Sequence, residues 1–266
     1  MGFGDEIMAG GHAKVVAETV QNGKVMIVDR HGNPRWDEMW QGLPWIVTPA
    51  EQKTEIGQQA IRLPNAAFVR PYIKYPFTRE AGCTYSGWRA RDYPGEIRFN
   101  DAEREFGLSV NRSLGPYIVI EPNISEKHNP NKQWGWDRWQ EFADLISNRG
   151  TRLLQVGPKG SRVLRGADLL ETPTFRLAAT VLDNALLSIL PEGGLHHAAA
   201  ALRRDAIVLF GGAVDVNATG YPWHTNIVDQ GDGSPCGKWL PCDHCAECWS
   251  RIRPAAIADL VEDYLG

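Results

Sequence analysis

The stretch LPEGGLHHAAAAL, Leu190 to Leu202, decides how the chain is read. The apolar run LLSIL (186–190) reads as a buried strand, and it delivers an acidic residue, Glu192, to its carboxyl end. Gly193 and Gly194 follow, and a helix of small residues begins near Leu195. Paired glycines let a ligand approach the backbone and leave N–H groups free for an anion at the helix start. Glu192 has the wrong sign for a phosphate and suits hydroxyls, as acidic residues do on a ribose diol. An ordinary helix start with packing histidines, His196 and His197, fits the same letters.

Working outward, the second half of the chain repeats this pattern. PYIVIEPN (116–123), TRLLQVGP (151–158), AIVLFGG (206–212) and HTNIVD (224–229) read as strands. Between them GWDRWQEFADLISNRG (135–150), closed by Gly150, and TFRLAATVLDN (174–184) read as helices, and IRPAAIADLVEDYLG (252–266) ends the chain as another. Strands alternating with helices imply a parallel sheet with right-handed crossovers. Ligands of such sheets sit outside the carboxyl ends of the strands. The residues to weigh are therefore 123–134, 157–159, 192–197 and 211–221.

The first half is less regular. EIMAGGHAKVVAETV (6–20) reads as a helix, KVMIVDR (24–30) as a buried strand and WIVT (45–48) as a second strand. Residues 49–94 are rich in Pro, Gly and aromatics, so only broken strands and loops are expected there. NDAEREFGL (100–108) reads as a helix with Asn100 as cap and Glu103 in the capping-box position. A boundary near 114–116 divides the chain into 1–115, 116–250 and a terminal helix, 251–266, for which packing back on the first half is expected.

Composition narrows the function classes. A net charge of −4 gives no general pull toward nucleic acid or anionic membrane. No apolar run reaches the roughly 18 residues of a transmembrane helix, and the start lacks the pattern of a signal peptide, so a cytoplasmic protein is expected. Cys83 stands alone, while Cys236, Cys242, Cys245 and Cys248 crowd together with spacing C-x5-C-x2-C-x2-C around His244. Four thiolates this close suit a structural zinc, and reduced thiols or disulfides are the other readings. Among the ten tryptophans, Trp36, Trp40, Trp45 and Trp88 suit either stacking on a sugar or core packing.

The order of a strand with a K-x-W loop (Lys132, Trp134), a strand ending in Gly-Pro, a strand ending in acidic-x-G-L-x-H, then LFGG and TGYPWH resembles glycosyltransferase family nine. This is the family of the ADP-heptose:lipopolysaccharide heptosyltransferases. The resemblance implies an α/β GT-B fold of two Rossmann-like domains, the N-terminal one here reduced and without its usual first strand. It implies donor contacts from Asn123, Lys132, Gly157, Glu192, Gly193, Gly194, His197, Gly211, Thr219 and Gly220, with Lys132 at the phosphates and Glu192 where the family has Asp. The opening GFGD resembles the family's base-bearing turn, which makes Asp5 the catalytic base; a helix cap at a terminus is the plain alternative. CWSRI resembles the family's C-x-x-I segment after the cysteine loop.

The implied activity is inverting transfer of a sugar from a nucleotide-diphosphate donor, ADP-heptose-like, to an acceptor hydroxyl, with no cofactor needed for catalysis. The acceptor class stays open between glycan, lipid-linked sugar, protein and modified nucleic acid, and peripheral membrane contact is compatible with it. A non-catalytic nucleotide-sugar binder and a GT-B nucleotide-sugar epimerase are the alternatives.

Overall fold

The computed structural model describes residues 2–20, 23–65, 70–76, 78, 80–123, 129–229 and 231–266. Part of the weighed loop at 123–134, residues 124–128, lies outside them.

Helix α1 (Phe3–Glu18) opens the chain and strand β1 (Val25–Val28) follows. Short helix α2 (Glu55–Gln59) leads into β2 (Ile61–Pro64), which pairs parallel with β1. β3 (Ile73–Lys74) and β4 (Thr84–Tyr85) form an antiparallel pair. The strand expected at 45–48 is reduced to one bridge, Ile46 to Val25, beside β1. Pro44 before it and Pro49 after it remove ladder donors and cut the run short.

Helix α3 (Asp101–Leu114) starts with the capping box the sequence announces. Asn100 Oδ1 accepts from the Glu103 N–H at 2.9 Å, and Glu103 Oε2 from the Asn100 N–H at 2.8 Å. Then come β5 (Ile118–Ile120), α4 (Trp136–Asn148), β6 (Leu153–Gly157), β7 (Ala167–Glu171), α5 (Phe175–Asp183) and β8 (Leu187–Pro191). The rest is α6 (Gly194–Leu202), β9 (Ala206–Phe210), α7 (Val216–Thr219), β10 (Thr225–Val228), α8 (Asp243–Arg251) and α9 (Pro254–Leu265).

β5 to β10 form one parallel sheet in the order β10-β9-β8-β5-β6-β7. Counted from β5, this is the doubly wound order 3-2-1-4-5-6, whose switch point lies between β5 and β8. The inner strands β5, β8 and β9 are buried at every residue, because helices cover both faces. Ile118, Ile120, Leu187 and Ile189 pack with Trp139 and Phe142 of α4 and Ile257 and Val261 of α9. Val119, Leu154, Leu190 and Val208 face Leu195 and Ala198 of α6 on the other side.

That second core does not stop at the sheet. It runs on through Ile7, Ala13, Val25, Ile27, Trp40 and Trp45 of the first half. Trp40 and Trp45 donate their indole N–H to the Glu6 and Gly10 carbonyls of α1, so both are core residues rather than sugar platforms. α9 packs on α4, where the sequence reading set it against the first half; its apolar stripe is absorbed by the nearer sheet face. β7 and α8 had no counterpart in that reading. β7 is a half-exposed edge strand with a weak apolar pattern, and the letters of α8 were spent on the cysteine cluster.

Candidate donor and catalytic site

The switch point brings the loop after β5 against the turn after β8. Lys132 ends a 3-10 turn, Pro130–Lys132, and its ammonium pairs with the Glu192 carboxylate, which is 5% exposed. His197 Nε2 stands 3.7 Å from the other Glu192 oxygen. Burial by itself would raise the Glu192 carboxyl, but the Lys132 charge and the contact from His197 outweigh it and hold the group well below the usual range. Lys132 and Glu192, read from the sequence as separate contacts for phosphate and ribose, therefore form one ion pair here.

On its other nitrogen, His197 Nδ1 lies 2.9 Å from the Tyr221 hydroxyl. His196, fully buried beside it, has no hydrogen-bond partner on either ring nitrogen, and burial first, then the neighbouring His197 and His224, push its pKa down. Gly194 opens α6 because a Cβ there would lie 2.9 Å from the Phe175 ring. Phe3 of α1 stacks on that same ring at 4.4 Å, joining the two halves over the helix start.

Asp5 is reached through α1. The first turn of α1 lies against the first turn of α6, and a Cβ on Gly4 would be only 2.5 Å from the His197 ring. Asp5 is thus part of a helix turn, not of a loop before it, and its carboxylate is held from three sides. Tyr72 donates its hydroxyl to Oδ1 at 2.6 Å, Arg70 sits 2.6 Å from Oδ2, and the Gly2 N–H donates to Oδ2 at 3.2 Å. Tyr72 is nearly buried, and burial first and the Asp5 charge next drive its own pKa well up. The anchors Arg70 and Tyr72 come from a segment whose sequence carried only loop signals, so nothing local tied either of them to Asp5.

Of the other expected residues, Asn123 and Gly157 stand apart from this cluster and Gly211 borders it. Asn123 donates to the Arg162 carbonyl at 2.8 Å, and Gly157 abuts Ser161, so both pack against the connection after β6. Gly211 shares a narrow cleft with Lys132 and Glu192, backed by Trp249. Thr219 and Gly220 end α7 just before Tyr221, with the Thr219 hydroxyl buried and unpartnered. The sequence reading passed over Glu121, which directly follows β5 at the switch point. Desolvation pushes its carboxyl up to about 8. Its signal was in plain view, an acidic residue closing an apolar strand, as in Glu192.

The cysteine loop lies beside this rim. Cys236, Cys242, His244 and Cys245 have ligand atoms all within 4.8 Å of one another. Cys236 Sγ lies 3.2 Å from Cys245 Sγ, with all five cysteines free. The hydrogen bond with Cys245 is the chief cause that lowers the Cys236 thiol below its ordinary range. Cys83 is not isolated either, since its N–H donates to the Gly237 carbonyl at 2.9 Å.

Sheet order, the glycine turn at the switch point and two facing halves define a Rossmann-like fold of the GT-B class, with the first half reduced, among the described residues, to two two-stranded sheets, β1-β2 parallel and β3-β4 antiparallel. The family model for glycosyltransferase family 9 (heptosyltransferase) matches residues 83–241, more than half of the chain, and the chain belongs to that family. Among solved structures, the family 9 glycosyl transferase of Veillonella parvula superposes with a TM-score of 0.67 at 14% identity, covering 100% of this chain and 95% of that one. The E. coli heptosyltransferase WaaC with ADP gives 0.49 at 13%, over 99% and 95%. The iron-containing dodecameric glycosyltransferase TibC of enterotoxigenic E. coli gives 0.44 at 18%; the match spans 56% of this chain and only 44% of TibC. No curated protein matches. Among the described residues, no helix is long and apolar enough to cross a membrane.

Proposed function

We propose that the protein is an inverting glycosyltransferase that moves a sugar from a nucleotide-diphosphate donor, ADP-heptose-like, to an acceptor hydroxyl. The observation that carries this reading is the meeting of two helix starts, α1 with Asp5 and α6 with His197, beside the Lys132 and Glu192 pair at the switch point. Residues 1–115 serve the acceptor side and 116–250 the donor side, with 251–266 bracing the latter.

In the reaction the acceptor oxygen bonds to the anomeric carbon as the bond to the diphosphate oxygen breaks and its electron pair leaves with the diphosphate. Asp5 takes the hydroxyl proton. A carboxylate offers about four lone-pair sites, and three donors already engage Asp5, which leaves one for the acceptor. The leaving diphosphate draws Lys132 away from Glu192 and meets the free N–H groups at the start of α6. Glu192 is then released toward the ribose hydroxyls.

Incubation with a panel of nucleotide sugars tests this by nucleoside diphosphate release. Release that Asp5→Asn abolishes while donor affinity persists supports the reading. Binding without release supports the non-catalytic alternative. A changed sugar without release points to the epimerase.

The cysteine loop fits a structural metal ion. Its thiols are free, reduced and clustered, and His244 Nδ1 is buried with no hydrogen-bond partner. Such an ion supplies rigidity rather than reaction chemistry. The sequence reading took Cys236, Cys242, Cys245 and Cys248 as its ligands.

A further inference from the structure

We infer that the ligand set of the cysteine loop is Cys236, Cys242, His244 and Cys245, with Cys248 outside it, and that an ion held there fastens the turn that carries Lys132. The inference deepens the proposed function and rests on its cysteine-bound ion.

The imidazole of His244 decides between the two ligand sets. Its Nε2 lies 3.1 Å from Ser234 Oγ and 3.6 Å from Cys248 Sγ. Its Nδ1 is buried and has no hydrogen-bond partner. The two nitrogens of an imidazole point in diverging directions, so one ion engages one of them. Metal-bound histidines donate the other ring N–H to a nearby oxygen, and Ser234 stands ready to accept from Nε2. Nδ1 is therefore the free donor, and Cys248 lies on the wrong side of the ring to share its ion. Cys248 has other company, with Ser234 Oγ at 3.7 Å and an Arg251 guanidinium N–H at 3.4 Å. Ligand atoms around a tetrahedral ion stand roughly 3.5–4 Å apart, so a cluster already within 4.8 Å needs little movement.

The loop between the first two ligands grips the donor site. Asn131, 5% exposed and adjacent to Lys132, donates its amide to the Lys238 carbonyl at 2.9 Å and the Leu240 carbonyl at 2.8 Å. From the helix that carries Cys245, Trp249 donates its indole N–H to the Asn131 carbonyl at 2.8 Å. Both arms of the cysteine loop thus close on one residue. The same loop is pinned to the sheet rim by Cys236 N–H to Gly212 O and Gly237 N–H to Ala213 O, at 2.9 and 3.0 Å. An ion joining Cys236 and Cys242 to Cys245 holds these arms at a fixed separation, and with them the Pro130–Lys132 turn.

Two measurements test this without nucleotide or turnover. Elemental analysis after loading with zinc should find one ion per chain in the wild type and Cys248→Ala, and little in Cys242→Ala and His244→Ala. Cobalt loading of the wild type gives an independent spectrum, whose thiolate charge-transfer intensity should match three sulfurs. Zinc lost from Cys248→Ala but kept by His244→Ala, or a four-sulfur cobalt spectrum, overturns the ligand set. A folded wild type that takes no zinc instead overturns the ion itself. Hydrogen exchange then tests the coupling. Chelation should speed exchange at 129–134 about tenfold, reversed by added zinc. Faster exchange at 236–249 with 129–134 unchanged overturns the link to Lys132.

Discussion

At the scale of single residues, the site is governed by where charge is buried. Asp5→Asn keeps the shape and the bond from Tyr72 but removes the carboxylate proposed as proton acceptor. Turnover should fall by roughly 10²–10⁴-fold with donor affinity nearly intact, as nucleoside diphosphate release and donor titration would show. Lys132→Ala should weaken donor binding about tenfold. It also strands the buried Glu192 charge, so its melting temperature should drop, whereas Lys132→Ala with Glu192→Gln should recover part of the loss. Glu121 gives a pH signature. Its folded pKa of about 8 lies above the ordinary 4.5, so between these values the folded chain holds a proton the unfolded chain has released. Stability therefore falls as pH rises through that window. Glu121→Gln should flatten the slope and gain roughly 1–3 kcal/mol at pH 8, read from urea unfolding at several pH values.

At the scale of elements, the contact between α1 and α6 is the feature that turns two local motifs into one site. Gly4→Ala tests it, because the added Cβ must push the His197 ring aside or separate the helices. A cost of about 1–3 kcal/mol is expected, with turnover falling more than donor affinity, since the displaced helix carries Asp5. Most of these elements were legible in advance. The inner strands are apolar runs interrupted only by Ser188 of β8 and Gln155 of β6, α3 and α5 carry side-chain caps, and α3, α4 and α5 carry amphipathic stripes, so there local signals and tertiary packing agree. The signal failed at 45–48, at β7 and at α8. Each is short, edge-exposed or bounded by residues chosen for another purpose, and each depends on neighbours far away in the chain.

At the scale of the whole molecule, the two halves are held by a shared core and by one buried cation. Arg176 of α5, 2% exposed, binds both oxygens of Glu103 at 2.6 and 2.7 Å. It also donates to the Glu38 and Arg98 carbonyls at 3.0 and 2.6 Å. Arg176→Leu should destabilise the protein by roughly 3–5 kcal/mol, since it leaves a carboxylate and two carbonyls without their partner. The conservative Arg176→Lys, lacking the planar fork, should recover only part of this in the same unfolding measurement.

The sequence by itself determined the parallel sheet, the glycine turn at its switch point, the cap of α3 and the family resemblance, because each is written in neighbouring residues. It also named Asp5, Lys132, Glu192 and His197 one at a time. Only the tertiary structure decided that Lys132 and Glu192 are one ion pair, that Asp5 is held by Arg70 and Tyr72, and that Cys236, Cys242, His244 and Cys245 form one close group to which Cys248 does not belong. Those facts depend on side-chain direction and on contacts between segments tens of residues apart, and neither has a local signature in the chain.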